Sequence, residues 1–275
     1  MKRNIATMAF CLCAAWSWAQ TYQQTENGIK TSIPGKQVDV EVQWFNPNSL
    51  RVLKTPQGKT VEKKSLSVIA LPEKSDVKVS TSGNGEIVMK SPVLVVTLDT
   101  KTGVLSYAKT DGSLLLKEQE NNKAFTPFND AGKSTYSVYQ GFTVDKEEGL
   151  YGLGQLQNGQ MMQRNMTKVL VQGNVEDVSP IFQSTKGYGV FWDNYSATTY
   201  TDNEKETSFR SEVGECIDYY FMYGGSADGV IAQVRALTGE VPMMPLWSYG
   251  FMQSKERYKS QEETVGVVKK YRELG

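Results

Sequence analysis

The sequence predicts a mainly β protein, in which an antiparallel β-sandwich is followed by a single strand–helix unit. Many short segments alternate apolar and polar residues with a period of two, and turn residues separate them. From residue 242 onward the pattern changes to one apolar run of strand length and one amphipathic helix. The 275 residues are 39% hydrophobic and 22% charged, which is ordinary for a globular protein of one large or two modest domains.

The clearest predicted strand begins at Val38. Every second residue from Val38 to Trp44 is apolar, with polar residues between them, which is typical of a half-buried strand. A hairpin is predicted from 103–109 and 113–117, because Asp111-Gly112 supports a tight turn. Further strands are predicted at 66–71, 77–80, 86–90, 93–99, 169–172, 187–193, 197–201, 207–213 and 216–223. Strands at this spacing favour an antiparallel sandwich.

A short helix is predicted after the last of these strands. Ser226 is a suitable N-cap, apolar residues recur at helical spacing from Val230 to Leu237, and Gly239 stands just past the end. This helix marks the expected boundary between a sandwich domain at 20–240 and a second segment at 241–275.

The C-terminal segment opens with two prolines, and the run 246–252 that follows is almost wholly apolar. Such a run suits a strand of a parallel sheet that is covered on both faces. Ser260 and Glu263 then form the pattern of a capping box, which predicts a helix that ends before Gly275. A parallel strand requires a parallel neighbour, so this unit is interpreted as the first piece of a larger domain.

The charge balance and the missing histidines exclude several classes of function. Lys+Arg and Asp+Glu both number 30, so no basic excess indicates a nucleic-acid partner and no polybasic tract indicates a lipid surface. The sequence has no histidine, which removes Ser-His-Asp and Cys-His catalysis and the commonest metal ligand. No metal and no cofactor is expected.

Residues 1–19 have the pattern of a secretory signal. Lys2 and Arg3 precede an apolar stretch, and Ser17 and Ala19 are the small residues expected before cleavage at Gln20. The alternative, a membrane anchor, needs about 18 or more apolar residues and fits less well. The protein is therefore expected to be exported, either to the periplasm or to an extracellular destination (the cell surface or the medium), without a membrane attachment.

Signal cleavage would leave Cys216 as the single thiol of the mature chain. A lone cysteine cannot form an internal disulfide, and without histidine it has no base to activate it. Cys216 is therefore interpreted as a buried structural thiol.

Three glycines, Gly149, Gly152 and Gly154, lie within six residues. They allow a close backbone approach or a β-bulge. Their spacing is not that of a dinucleotide-binding loop, and no phosphate-binding Gly-x-x-x-x-Gly-Lys motif occurs. The residues that follow, 155–165, form an amide-rich loop whose donors and acceptors would suit sugar hydroxyls, although an ordinary polar loop remains the alternative.

Four motifs in order carry a resemblance to a known family. They are Tyr151-Gly152-Leu153-Gly154-Gln155, the Gly187–Asn194 segment, Asp218-Tyr219-Tyr220-Phe221, and the stretch from Pro242 to Tyr258 with its Gln-Ser-Lys-Glu-Arg-Tyr end. Together they resemble glycoside hydrolase family 31, which contains α-glucosidases and α-xylosidases, and they look most like its α-xylosidase branch.

The resemblance implies a galactose-mutarotase-like β-sandwich followed by a (β/α)8 barrel. Residues 246–252 would be the first barrel strand and 260–274 the first barrel helix. The family retains configuration through two aspartates on later barrel strands. No Asp or Glu of this sequence matches those motifs, so no catalytic residue is assigned, and the 275 residues are expected to be an inactive fragment.

The resemblance also suggests which residues bind substrate. The amide loop would reach over the barrel mouth, and its candidates are Gln155 and Gln157. The candidates in the C-terminal segment are Trp247, Phe251, Gln253 and Arg257. Arg257 could instead form an ion pair with Glu256 or with a later acid.

The leading hypothesis is an exported glycosidase that acts on oligosaccharides of xyloglucan or α-glucan type. The alternatives are a non-catalytic β-sandwich module that binds carbohydrate, and a structural piece without a ligand. The sequence does not indicate an oligomeric state.

Overall fold

The computed structural model describes residues 22–74 and 76–275, so the predicted signal at 1–19 lies outside the described residues. The chain divides into two units, one ending at Gly239 and one spanning Glu240–Gly275. Neither α-helix of the described ranges has the length and apolar character of a membrane span.

In the residues that the structure describes, the first unit is built from strands, with a single α-helix at its end. The strands are β1 (Gln23–Gln24), β2 (Gly28–Ile33), β3 (Val38–Asn46), β4 (Ser49–Pro56), β5 (Lys78–Thr81), β6 (Glu86–Lys90), β7 (Leu94–Asp99), β8 (Leu105–Lys109), β9 (Leu114–Glu118), β10 (Phe125–Asp130), β11 (Lys133–Thr143), β12 (Leu150–Gln155), β13 (Met166–Leu170), β14 (Asp177–Ser184), β15 (Tyr188–Trp192), β16 (Thr198–Asp202), β17 (Thr207–Gly214) and β18 (Ile217–Tyr223). The helix is α1 (Ala227–Thr238), and a single 3-10 turn covers Pro34–Lys36.

The strands form two antiparallel sheets, as the sequence predicts. One has eight strands in the order β1-β2-β3-β4-β18-β15-β14-β12. The other has ten: β13-β16-β17-β11-β9-β8-β7-β6-β5, with β10 paired to β11. Aromatic side chains from both sheets meet in one core. Tyr107 of β8 stacks on Phe221 of β18 at 4.0 Å between ring centroids, and Trp192 of β15 stacks on Phe209 of β17 at 5.5 Å.

Several local predictions are confirmed. Val38, Val40, Val42 and Trp44 are all buried, so the alternation in β3 does mark a half-buried strand. The β8–β9 hairpin closes at the predicted turn, where Gly112 has a φ of 89° and its N–H donates to the Lys109 carbonyl.

The prediction for α1 is also confirmed. The Ser226 hydroxyl accepts from the Gly229 N–H at 3.1 Å, and Gly239 follows the helix with a φ of 88°. Val230 and Leu237 are the residues that the helix buries. The Cys216 thiol is buried as predicted, and burial, reinforced by Asp218, raises its pKa to about 11.

Buried ion pairs hold polar residues inside the sandwich. Arg51 of β4 donates through Nε and Nη2 to Asp218 of β18 at 2.8 and 2.7 Å. Burial opposes the charge of Arg51, but the hydrogen bond and the charge of Asp218 raise its pKa above the ordinary value. In the same way Lys54 of β4 donates to Glu118 at 2.6 Å, and the Tyr219 hydroxyl donates to the other oxygen of that carboxylate at 2.7 Å.

The strand predicted at 66–71 is wrong. These residues belong to a strap, defined here as residues 57–74, that follows β4 and has no strand structure. Its N–H groups find other acceptors: Leu66 donates to the Tyr195 hydroxyl, while Ile69 and Ala70 donate to the Leu237 carbonyl at the end of α1. β4 is paired on one side with β3 and on the other with β18. The residues that follow it therefore find no open sheet edge beside β4 with which to pair.

The second unit contains one α-helix, α2 (Gln261–Leu274). The predicted cap is confirmed, since the Ser260 hydroxyl accepts from the Glu263 N–H at 3.2 Å. The Glu263 carboxylate reaches back to the Lys259 N–H at 2.8 Å, one residue earlier than a standard capping box requires.

The strand predicted at 246–252 is wrong for the structure of these 275 residues. Leu246–Tyr249 form a 3-10 turn, and no strand follows before α2. Leu246, Trp247 and Phe251 are 89%, 76% and 77% exposed. The run has strand composition but no parallel neighbour with which to form a ladder.

Candidate substrate-binding segments

The six predicted substrate-binding residues lie in both units. Gln155 is the last residue of β12, and Gln157 lies in the loop that follows. Trp247 lies in the 3-10 turn of the second unit, and Phe251, Gln253 and Arg257 lie between that turn and α2. All six are exposed.

The approach to Gln155 is shaped by a β-bulge in β12. Its pairing with β14 shifts register between Gly152 and Gly154, and Leu153 between them is buried with a φ of 64°. A Cβ on Gly152 would lie 2.4 Å from the Ile181 carbonyl oxygen, and one on Gly154 would lie 2.0 Å from that of Asp177. The glycines therefore serve both a bulge and a close backbone approach.

The loop at 156–165, called the rim loop below, uses part of its amide content on itself. The Gln163 side chain is buried, and its Nε2 donates to the carbonyls of Gln160 and Met161 at 3.0 and 3.3 Å. Asn158 donates to the Gln163 side-chain oxygen at 3.2 Å. Within the part of the chain that the structure describes, the side chains of Gln155 and Gln157 make no hydrogen bond, so their amides face solvent.

The second unit brings Phe251 and Gln253 against α2. The Tyr271 ring lies 5.7 Å from that of Phe251, and its hydroxyl donates to the Gln253 side-chain oxygen at 2.8 Å. These residues line a groove of about 570 Å³ together with Tyr258, Thr264 and Val267. Trp247 and Arg257 do not line it.

One pair of opposite charges in this unit involves Glu263, in the first turn of α2. Lys255 hydrogen-bonds to Glu263, and that bond and the Lys259 N–H lower the pKa of the Glu263 carboxyl. Arg257 has a φ of 107°, which is uncommon for a residue with a side chain, and it forms no ion pair with Glu256 in the described residues. The ion pair suggested between these neighbours is therefore not formed.

The sequence did not predict a role for Arg164 and Asp202, which fix the C-terminal end of the rim loop. Arg164 Nε donates to the buried Asp202 carboxylate at 2.9 Å. The two residues are 38 positions apart, and neither lies in a motif, so no local signal could have connected them.

Comparison with known proteins gives this two-part arrangement its class. Residues 39–200 match the glycosyl hydrolase 31 N-terminal galactose mutarotase-like domain. Residues 241–275 match the glycosyl hydrolases family 31 TIM-barrel domain. The protein thus combines a family-specific β-sandwich with a short beginning of the family's barrel.

Individual proteins agree with this class. An α-xylosidase of Saccharolobus solfataricus is 36% identical over 245 residues, which cover 86% of this chain and 33% of the relative. An α-glucosidase 2 of Bacillus thermoamyloliquefaciens is 27% identical over 256 residues, covering 84% of this chain and 30% of the relative. The crystal structure of a GH31 α-xylosidase from Xanthomonas citri superposes with a TM-score of 0.81 at 22% identity, covering 92% of this chain and 44% of that one.

The chain belongs to glycosyl hydrolase family 31. It spans about a third of the length of the curated relatives that it matches.

Proposed function

We propose that these residues are the N-terminal sandwich and the first barrel segment of an exported glycosidase that cleaves α-linked xylosyl or glucosyl groups from oligosaccharides with retention. The observation that carries the proposal is the 36% identity to an α-xylosidase over 86% of this chain. Because an α-glucosidase is also similar, the sugar is the part that most needs a test.

The 275 residues by themselves are proposed to be inactive. In this family, the nucleophile and the acid/base are aspartates on later barrel strands, and retention requires both carboxyl groups about 5–5.5 Å apart. A whole barrel takes roughly 250 residues, and only residues 241–275 match the family's barrel domain. The chain therefore supplies rim residues rather than the reacting carboxylates.

The test compares the 275 residues with the full-length protein in which they lie, on aryl α-xyloside and aryl α-glucoside. We expect the full-length protein to hydrolyse the xyloside faster, with the α anomer as the first product seen by NMR, and the 275 residues to hydrolyse neither. Hydrolysis by the 275 residues would show that they are active alone, and a full-length protein inactive on both would refute the glycosidase.

Export is proposed from the signal pattern at residues 1–19. Expression of the natural gene in its host should yield a mature protein that begins at Gln20. Mass spectrometry of its N-terminus measures this, and an intact Met1 on the mature protein would contradict export by this signal.

A carbohydrate-binding module without catalysis is the second candidate, because the unused amides of Gln155 and Gln157 could bind sugar without a barrel. Calorimetric titration of the 275 residues with xyloglucan oligosaccharides distinguishes the two. Heat of binding below millimolar concentrations supports the module, and its absence leaves the glycosidase.

A further inference from the structure

The rim loop joins two sheets rather than two strands of one sheet. It leaves β12, the edge of the eight-stranded sheet, and enters β13, the edge of the ten-stranded sheet. The position of its exposed half therefore depends on how firmly its two ends are fixed to both sheets.

Arg164 and Asp202 fix the C-terminal end of the rim loop, where the chain enters β13. Asp202 Oδ1 accepts from Arg164 Nε at 2.9 Å and from the Asn165 N–H at 2.7 Å, while Oδ2 accepts from the Thr207 hydroxyl at 2.5 Å. Asp202 is 1% exposed and lies on β16 opposite Met166 in the ladder. The carboxylate thus ties the loop end to the interior of the ten-stranded sheet.

The same arginine reaches the start of β12. Arg164 Nη1 donates to the Asp145 carbonyl at 3.0 Å and to the Glu148 carbonyl. Glu148 is buried and is itself held by the Ser184 hydroxyl at the end of β14, with Lys186 at 3.2 Å from its carboxylate. One guanidinium therefore joins the segment entering β12 to the segment leaving the rim loop.

Backbone contacts at Gln163 complete the attachment. Its N–H donates to the Leu150 carbonyl at 2.7 Å, and its carbonyl accepts from the buried Tyr200 hydroxyl at 2.9 Å. Residues 163–165 are consequently fixed, while Gln155, Gln157 and Met161 remain exposed. The C-terminal end of the loop, residues 163–165, is therefore rigid, while the part before it faces solvent.

We infer that Arg164 and Asp202 are positioning residues, which set where Gln155 and Gln157 meet the sugar. The inference rests on the proposed function, since it assumes that these amides bind substrate. A largely buried ion pair that joins the C-terminal end of the loop to the segment entering β12 is suited to this task, because it admits few alternative geometries. Loss of the pair should weaken substrate binding more than it slows the chemical step.

The test uses the full-length protein and Asp202→Asn, which keeps the side-chain shape and an acceptor oxygen but removes the charge. We expect KM for the preferred aryl glycoside to rise by roughly tenfold while kcat changes by less than about twofold. Adding Gln157→Ala to this variant should raise KM little further, because residues that act through one contact are not additive. Arg164→Lys gives a milder change should Asp202→Asn fold poorly.

Asp218→Asn is the matched control. Asp218 is also 1% exposed and also accepts from a buried arginine, but its partner Arg51 lies away from the rim loop, on β4. It should lower Tm and leave KM unchanged. An equal rise in KM in both variants, or an unchanged KM in Asp202→Asn, would overturn the positioning role.

Hydrogen exchange adds a readout that does not require turnover. Asp202→Asn should speed exchange at the Gln163 and Asn165 amides, and Asp218→Asn should not. If wild-type protein hydrolyses neither glycoside, the proposed function fails and the positioning role fails with it. If wild type is active and only the variant predictions fail, the proposed function stands without the positioning role.

Discussion

Two apolar runs of similar composition adopt different structures in this protein. Tyr188–Trp192 forms β15, where all five residues are buried between β14 and β18. Leu246–Met252 has comparable aromatic content but begins with a 3-10 turn and leaves its large side chains exposed. The difference lies in the available neighbours, since a strand is stabilised by the ladders on its two edges and by the layers that cover its faces. Strand composition is thus not sufficient for a buried strand.

The largest expected effect comes from removing a charge partner within the sandwich. Asp218→Ala leaves the buried Arg51 and the half-buried Lys63 without their shared carboxylate, which should cost about 3–5 kcal/mol and lower Tm on the order of 10 °C. Thermal unfolding followed by circular dichroism measures this. Glu263→Gln, which breaks the exposed pair with Lys255, is the control in the second unit and should not move Tm. Equal effects of the two substitutions would contradict the contrast between the units.

A smaller effect is expected at the bulge of β12. Gly154→Ala places a methyl group 2.0 Å from the Asp177 carbonyl oxygen and also has to hold a φ of 93°. Gly132 has the same φ of 93°, and a methyl group there would have no atom within 4 Å, so Gly132→Ala isolates the cost of the backbone conformation. We expect Gly154→Ala to be less stable than Gly132→Ala by about 1–3 kcal/mol in urea unfolding. Equal stabilities would show that the strand shifts to accept the methyl group.

The smallest expected effect on the fold comes from ending the chain at Gly239. All the strands of the described part precede this position, so the β-sheet circular dichroism should be retained. Solubility should rise, because Met243, Leu246 and Phe251, which are 77–90% exposed, are removed. In chains that both begin at Gln20, and so lack Trp16 and Trp18, acrylamide should quench Trp247 in the longer chain and quench little in the shorter one, where Trp44 and Trp192 are fully buried. Equal solubility of the two chains would count against an incomplete barrel.

The sequence predicted the features that depend on neighbouring residues. Ser226 and Ser260 cap the helices as expected, and Asp111-Gly112 closes its hairpin. The glycines at 152 and 154 produce the bulge that they allow. In each case the signal and its structural consequence lie within a few residues of each other.

The predictions failed where the stabilising contact is distant. β4 was missed because it carries Arg51 and Lys54, whose burial depends on Asp218 and Glu118 far along the chain. β1, β2, β10, β11, β12 and β14 were also missed. Pro127 weakens the strand signal in β10, and β11 buries polar Thr135 and Gln140.

The candidate site shows the same division. The rim loop could be predicted from its amide-rich composition. Arg164 and Asp202, which fix its C-terminal end, could not be predicted. The residues of the second unit were found only through family resemblance, and their roles as sugar ligands stay predictions.

The position of Cys216 has a practical consequence. Its thiol is 3% exposed and adjoins β18, a central strand of the eight-stranded sheet. With a pKa of about 11, only about one molecule in a thousand would carry a thiolate at pH 8. Alkylation of this sulfur would therefore proceed mainly through transient opening of the sheet. The rate at which Cys216 is alkylated would then report how often the sheet opens around β18, without any engineered probe.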